Sequence, residues 1–232
     1  MLPATLAAVR KAMEGTGVQG EVIVVDNAST DDTAQIALAF GARVVTESRR
    51  QISSVRNAGA AACTGEYIIF VDADTLISPD LLGAVLDEFD AGVCGGGSLI
   101  RFELEATGFA AWTSRFWHRV SKQFKLPAGC FLYSRRDAFF AVGGFSQEVY
   151  ATEEIWFSRK LKAWGKKNSR RFVMLEEHPP ITSSRKLGWF PTHKLLIYTL
   201  LFTLFPFAVR FRALCSFWYE RPEKILDHKL PK

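Results

Sequence analysis

Two carboxylates one residue apart, Asp72 and Asp74, close the apolar run YIIFVDADT. In extended backbone, residues two apart share a face. Acids held that close repel each other, and a divalent cation relieves the repulsion. Hard oxygen ligands suit Mg2+ or Mn2+, which keep several waters and take further ligands from phosphates. The order DxDxT also fits a phosphatase, with Asp72 as nucleophile and Asp74 as acid. That chemistry wants a further acid pair of the GDxxxD kind, and none follows. A third reading is a solvated loop at the end of a strand. A second acid pair, Glu153-Glu154, opens EEIWFSRKLKAWG. A carboxylate there can take a proton as general base. Both acids can equally be first-turn residues favoured by a helix dipole.

Strands and helices must bring such groups together. EVIVVD, RVVT and YIIFV read as short β-branched or apolar strands, the first ending in Asp26. Between them, NASTDDT offers loop and cap residues, AQIALAF reads as a helix stopped by Gly41, and SVRNAGAAA as a small-residue helix carrying Arg56. SPDLLGAVLDEF has a Ser cap and a Pro in its first turn. This alternation predicts an α/β fold with a mostly parallel sheet and helices on both faces. In such sheets, ligands sit beyond the carboxyl ends of the strands, where Asp26, Asp72 and Asp74 fall.

After Gly92 the pattern changes. VCGGGSLIRFELEA has glycines and then alternation at Ile100, Phe102 and Leu104, as in an antiparallel strand. GCFLYSRR reads as a strand and DAFFAVGGF as a short helix turned by two glycines. EEIWFSRKLKAWG reads as a helix with Ile155, Leu161 and Trp164 on related faces, and FVML as a last strand. Residues 107–125 are aromatic and basic. They read as an amphipathic helix on the core, or as an acceptor-side wall that stacks on sugar rings or touches a lipid carrier. One domain is expected to about residue 190, with a tail over 191–232.

The 232 residues are 48% apolar and 23% charged, which supports a sizeable core and argues against disorder. Acids nearly match bases, 24 against 29, so a nucleic-acid binder is not expected. Cys63, Cys94, Cys130 and Cys215 form no CxxC pair and read as thiols of a reducing compartment, hence a cytoplasmic protein. Leu195 to Val209 is uncharged, broken by Pro206 and bracketed by Lys194, Arg210 and Arg212. It reads as a core helix, as a peripheral contact at the inner face of the membrane through residues 195–212, or as a short span.

In order, VVDNASTDDT, VRNAGAAACTGEYIIFVDADT, and GGF followed by EEIWFSRKLKAWG resemble the family 2 glycosyltransferases over roughly residues 2–175. The resemblance implies a Rossmann-like domain that binds a nucleotide-diphosphate sugar and a divalent metal. It implies inverting transfer to an acceptor hydroxyl on a saccharide or lipid-linked acceptor. Carried over, Asp26 would contact the base, Arg56 and Asp72 would lie along the nucleotide, and Asp74 would bind the metal. Glu154 would be the catalytic base, with Glu153 as second choice. In similar enzymes the region of His178 and Arg185 supplies a metal ligand or a cation over the diphosphate.

Members of that family usually begin with a strand and a nucleotide-cradling loop ahead of a helix like LPATLAAV. This sequence begins at the helix. The expectation is therefore an open place in the middle of the sheet, from a late start codon or a truncated gene. A non-catalytic, weakly nucleotide-binding remnant is the alternative that this raises.

Overall fold

The computed structural model describes residues 1–104, 115, 118–185, 197, 198, 200, 201 and 204–219. Helix α1 (Leu2–Thr16) has a proline in its first turn and stops at Gly17, whose left-handed φ of 68° few other residues tolerate. Strand β1 (Ile23–Asp26), helix α2 (Thr33–Ala39) and strand β2 (Arg43–Thr46) form a β-α-β unit. Its two strands pair in parallel from Ile23 opposite Arg43 to Asp26 opposite Thr46. Helix α3 (Ile52–Ala62) lies close on this unit. A Cβ on Gly59 would stand 3.0 Å from Val25 Cγ2, which explains the small residues there.

The main sheet has the order β3-β7-β5-β8, from β3 (Tyr67–Val71), β5 (Gly95–Ser98), β7 (Phe131–Arg135) and β8 (Phe172–Leu175). Its two faces follow the period of two that strand geometry imposes. Tyr67, Ile69, Val71, Phe131 and Tyr133 meet helix α4 (Pro79–Asp90), through Leu81, Val85 and Phe89. Ile68, Phe70 and Leu132 meet helices α5 (Arg136–Ala141) and α6 (Glu153–Lys167), with Phe139, Phe145, Phe157 and Leu161 between. The result is three layers, helix on sheet on helix. Ser78 caps α4 as expected, its hydroxyl accepting from the Leu81 amide at 3.1 Å.

The structure refines four sequence expectations. The main sheet is mixed, because β7 runs antiparallel to both β3 and β5, while β5 and β8 are parallel. The glycine run is itself a buried central strand. A Cβ on Gly96 would lie 1.9 Å from the Val173 carbonyl, and one on Gly95 2.4 Å from the Tyr133 carbonyl. Only glycine lets the neighbouring backbones come so near, and that suppresses every ordinary strand signal. The alternation at 100–104 yields only β6 (Arg101–Phe102), in a small sheet ordered β4-β9-β6 with β4 (Thr75–Leu76) and β9 (Ile181–Thr182). There β6 runs parallel to β9, not antiparallel. The buried residues of α6 are Glu153, Phe157, Ser158, Leu161 and Gly165. Ile155 is only half-buried, and Trp164 packs at the margin of the core.

Among the described residues no backbone ladder joins β1 to β3, and each has one ladder partner only, β2 and β7 respectively. Much of the aromatic 107–125 stretch lies outside the described residues, and positions 118–124 within it are helical. Most of 191–203 likewise lies outside them.

Candidate active site

Strand β3 delivers Asp72 one residue past its end, where the Asp72 amide donates to the Cys130 carbonyl at 3.0 Å. That bond ties the acidic turn to the loop before β7. The turn closes as the Thr75 amide donates back to the Asp72 carbonyl, also at 3.0 Å. Asp74 follows, and its carbonyl accepts from the Ser183 amide at 3.2 Å.

The second acid pair arrives from another element. Helix α6 begins at Glu153 and takes its N-terminal direction from Thr152, held in the left-handed region at φ 60°. That conformation is costly for a β-branched residue and persists only where the surroundings enforce it. Ala151 before it is fully buried.

Arg56 joins the two. It projects from α3 with its side chain only 9% exposed, and contacts both Asp72 Oδ1 at 3.1 Å and Glu153 Oε1. A third donor hydrogen reaches the Gly129 carbonyl at 2.7 Å, and the guanidinium lies over the Phe145 ring at 5.4 Å. Burial alone would lower its pKa. Asp72, Glu153 and Glu154 outweigh burial and hold it above the ordinary value, so it stays charged. Phe145 is fixed in turn by Asn57, whose amide donates to the Phe145 carbonyl at 2.9 Å and accepts from its N–H at 2.9 Å. The adjacent residues Arg56 and Asn57 thus bind two separate loops to one helix.

Glu153 and Glu154 stand in different environments. Glu153 is 4% exposed and ion-paired with Arg56. Glu154 is half-buried, and its carboxyl is pushed up to about 8, first by burial and then by the Glu153 charge, with Arg56 partly opposing. Gly129 borders it: a Cβ there would lie 3.2 Å from Arg56 Nη2 and 3.6 Å from Glu154 Oε2. A larger residue would close this corner.

Of the remaining sequence candidates, Arg185 reaches the acidic turn, whereas His178 and Asp26 meet other partners. Arg185 comes to Asp74, Nη2 to Oδ2 at 3.9 Å, because β9 pairs with β4 beside it. His178 lies 3.9 Å from Asp80 in the first turn of α4. Asp26 ends β1, and its Oδ1 accepts from the Ser29 amide at 3.2 Å, so it also shapes the loop that follows. Among the described residues no three His, Cys, Asp or Glu side chains are grouped to hold an ion. A Mg2+ or Mn2+ that borrows phosphate oxygens needs only one or two carboxylates. Asp74, with a quarter of its side chain exposed beside the Asp72 turn, fits that mode. A cavity of about 480 Å³, lined by Met13, Val18, Val22 and Phe40 among others, shares no lining residue with this acidic centre.

Sequence reasoning missed Gln51, Asn57 and Gly129. Gln51 is buried, and its amide donates to the carbonyls of Gln147 and Val149 at 2.9 Å each, pinning the approach to Thr152. A polar residue just before an apolar helix carries no sign of such distant partners. Asn57 had one signal, its place in VRNAG beside Arg56.

Comparison with known proteins gives the family and the fold. A model of the family described as "Glycosyl transferase family 2" matches residues 1–150. An uncharacterized glycosyltransferase of Mycobacterium tuberculosis is 38% identical over 91 residues, 39% of this chain and 38% of that protein. The chain thus aligns with less than two fifths of that relative's length. Among solved structures, a mannosyltransferase from Pyrobaculum calidifontis in complex with GDP-Man and Mn2+ superposes with a TM-score of 0.62 at 19% identity. It covers all of this chain and 63% of its own. Glucosyl-3-phosphoglycerate synthase from Mycobacterium tuberculosis, in complex with Mn2+, UDP and phosphoglyceric acid, gives 0.56 at 20% identity over 86% of this chain and 73% of its own. At these identities the superpositions establish the fold.

Proposed function

The chain belongs to glycosyl transferase family 2, and we propose that it transfers a sugar, with inversion, from a nucleotide-diphosphate donor to an acceptor hydroxyl. The observation that carries this reading is Arg56, which holds the end of β3 and the start of α6 against one another. Asp72 on the donor side and Glu153 of the acid pair therefore meet at one guanidinium. Structural neighbours in complex with GDP-Man or with UDP and Mn2+ support the donor class.

In this reading Glu154 is the base. Glu153 is committed to Arg56, whereas Glu154 carries a carboxyl poised near ambient pH, where a proton acceptor works best. Its carboxylate takes the acceptor hydroxyl proton as the oxygen attacks the anomeric carbon from the face opposite the diphosphate. The glycosidic bond to the diphosphate breaks, and its electron pair leaves with the phosphate oxygen. Asp72, oriented by Arg56, faces the nucleotide, and Asp26 at the end of β1 faces the base. Arg185 stands beside Asp74, where its cation can meet the developing negative charge. A Mg2+ or Mn2+ held by Asp74 and the phosphates would add further stabilisation of that charge.

The phosphatase reading gains no support. That chemistry needs a further acid group to hold its metal, and none is assembled among the described residues. The acceptor class is proposed as a saccharide or lipid-linked hydroxyl. The test is release of nucleoside diphosphate from a panel of UDP- and GDP-sugars with Mn2+ or Mg2+, with product stereochemistry read by NMR. Metal-dependent release that Asp74→Asn abolishes and Glu154→Gln slows at least about a hundredfold supports the reading. Absence of both nucleotide binding and release would leave the non-catalytic remnant instead.

A further inference from the structure

Residues 204–215 form a two-faced strap. One face is buried: Val209 and Cys215 pack against Val149 and Ala151, and Ala208 is buried as well. The Tyr150 amide donates to the Val209 carbonyl at 2.7 Å, and the Ile52 amide donates to the Tyr219 hydroxyl at 3.4 Å. The strap is thus anchored to the segment that ends at Thr152 and Glu153. The other face is apolar and exposed among the described residues. Phe207 is 60% exposed, Phe211 56% and Phe205 48%, with Leu204 and Leu214 alongside.

Two exposed arginines, Arg210 and Arg212, flank Phe211 in sequence. Arg210 lies 3.5 Å from Glu148, yet both side chains are more than half exposed. Arg212 lies over the Tyr219 ring at 5.6 Å. Exposed phenylalanines beside exposed guanidiniums fit an interface that is apolar at depth and anionic at its surface. No described helix is long and apolar enough to cross a membrane, so contact would be in the plane.

We propose that the strap over residues 204–215 seats the protein on an anionic bilayer surface. Phe205, Phe207 and Phe211 enter the acyl boundary, and Arg210 and Arg212 meet lipid phosphates. Because the buried face of the strap carries the segment leading into Glu153, the acid pair sits close behind the docked surface. This proposal goes beyond the transferase reading and needs no turnover to be tested.

The experiment is co-sedimentation of the whole chain with vesicles of phosphatidylcholine, with or without phosphatidylglycerol. Partition onto the mixed vesicles is expected, weakened by salt. Phe207→Glu/Phe211→Glu should lower it by at least about tenfold at an unchanged melting temperature, since neither side chain is buried. Arg210→Glu/Arg212→Glu should remove the preference for the anionic lipid. No partition onto either vesicle, or equal partition of the phenylalanine variant, would overturn the proposal. So would a concentration-dependent dimer that the same double substitution abolishes.

Discussion

Glu154 offers the sharpest test of the chemistry, because its environment sets a rate profile. Its carboxyl is raised to about 8 by burial and by Glu153. Only the ionised form accepts a proton, so kcat/KM should follow the ionised fraction of the free enzyme. That fraction is about one in a hundred at pH 6, about one in ten at pH 7 and about half at pH 8. The rate should therefore climb roughly ninetyfold between pH 6 and pH 9, with a midpoint near 8. Arg56 lowers this carboxyl, so Arg56→Gln should move the midpoint to higher pH. Glu154→Gln should flatten the profile at a level about 10² to 10⁴ lower. The assay is coupled detection of nucleoside diphosphate at sub-saturating donor and acceptor. Stability supplies an independent check with the opposite slope. A carboxyl that titrates higher when folded binds protons more tightly in the native state, so its contribution is full below its unfolded value of 4.5. It is lost as pH rises through about 8. Denaturant midpoints should fall over that window, by at most about 1.4 kcal/mol per pH unit, and Glu154→Gln should remove this part of the slope. A profile that is flat between about pH 6 and 9 in the unmodified enzyme would refute the reasoning.

Other substitutions separate packing from chemistry. Gly129→Ala puts a methyl 3.2 Å from Arg56 Nη2 and beside Glu154, so activity should fall more than about tenfold with under about 1 kcal/mol of stability lost, by denaturant titration. Gly96→Ala drives a methyl into the Val173 carbonyl in the central strand and should cost at least about 3 kcal/mol, or prevent folding, as read by circular dichroism. Asn57→Ala removes both bonds to the Phe145 backbone, and thermal unfolding should show a loss of about 2 kcal/mol. Ser78→Ala removes the cap on α4 at a cost of about 1 kcal/mol, with activity unchanged.

How much of this was legible depends on how local each signal was. YIIFV and RVVT read as strands to the residue, because β-branched and apolar runs bounded by loop formers leave little else. Ser78 and Pro79 marked α4 through chemistry confined to one turn. The glycine strand β5 was illegible for the reason it exists: its residues are chosen by how close Tyr133 and Val173 come, and both are remote in sequence. Pairing direction was equally hidden, since nothing within FLYSR says that it will insert antiparallel between β3 and β5. At the site, the acids could be named from their order along the chain. The division of labour between Glu153 and Glu154 could not, because it follows from Arg56, which is almost a hundred residues away.

The most direct measurement is calorimetric titration of nucleoside diphosphate with Mn2+ into the unmodified chain, Asp74→Asn and Glu154→Gln, paired with turnover on the same preparations. Asp74→Asn is expected to lose metal-dependent binding. Glu154→Gln is expected to bind as the unmodified chain does and yet turn over at least about a hundredfold more slowly. Glu154→Gln turning over at the unmodified rate, or Asp74→Asn binding nucleotide and metal unchanged, would contradict the claim that these two acids serve one reaction.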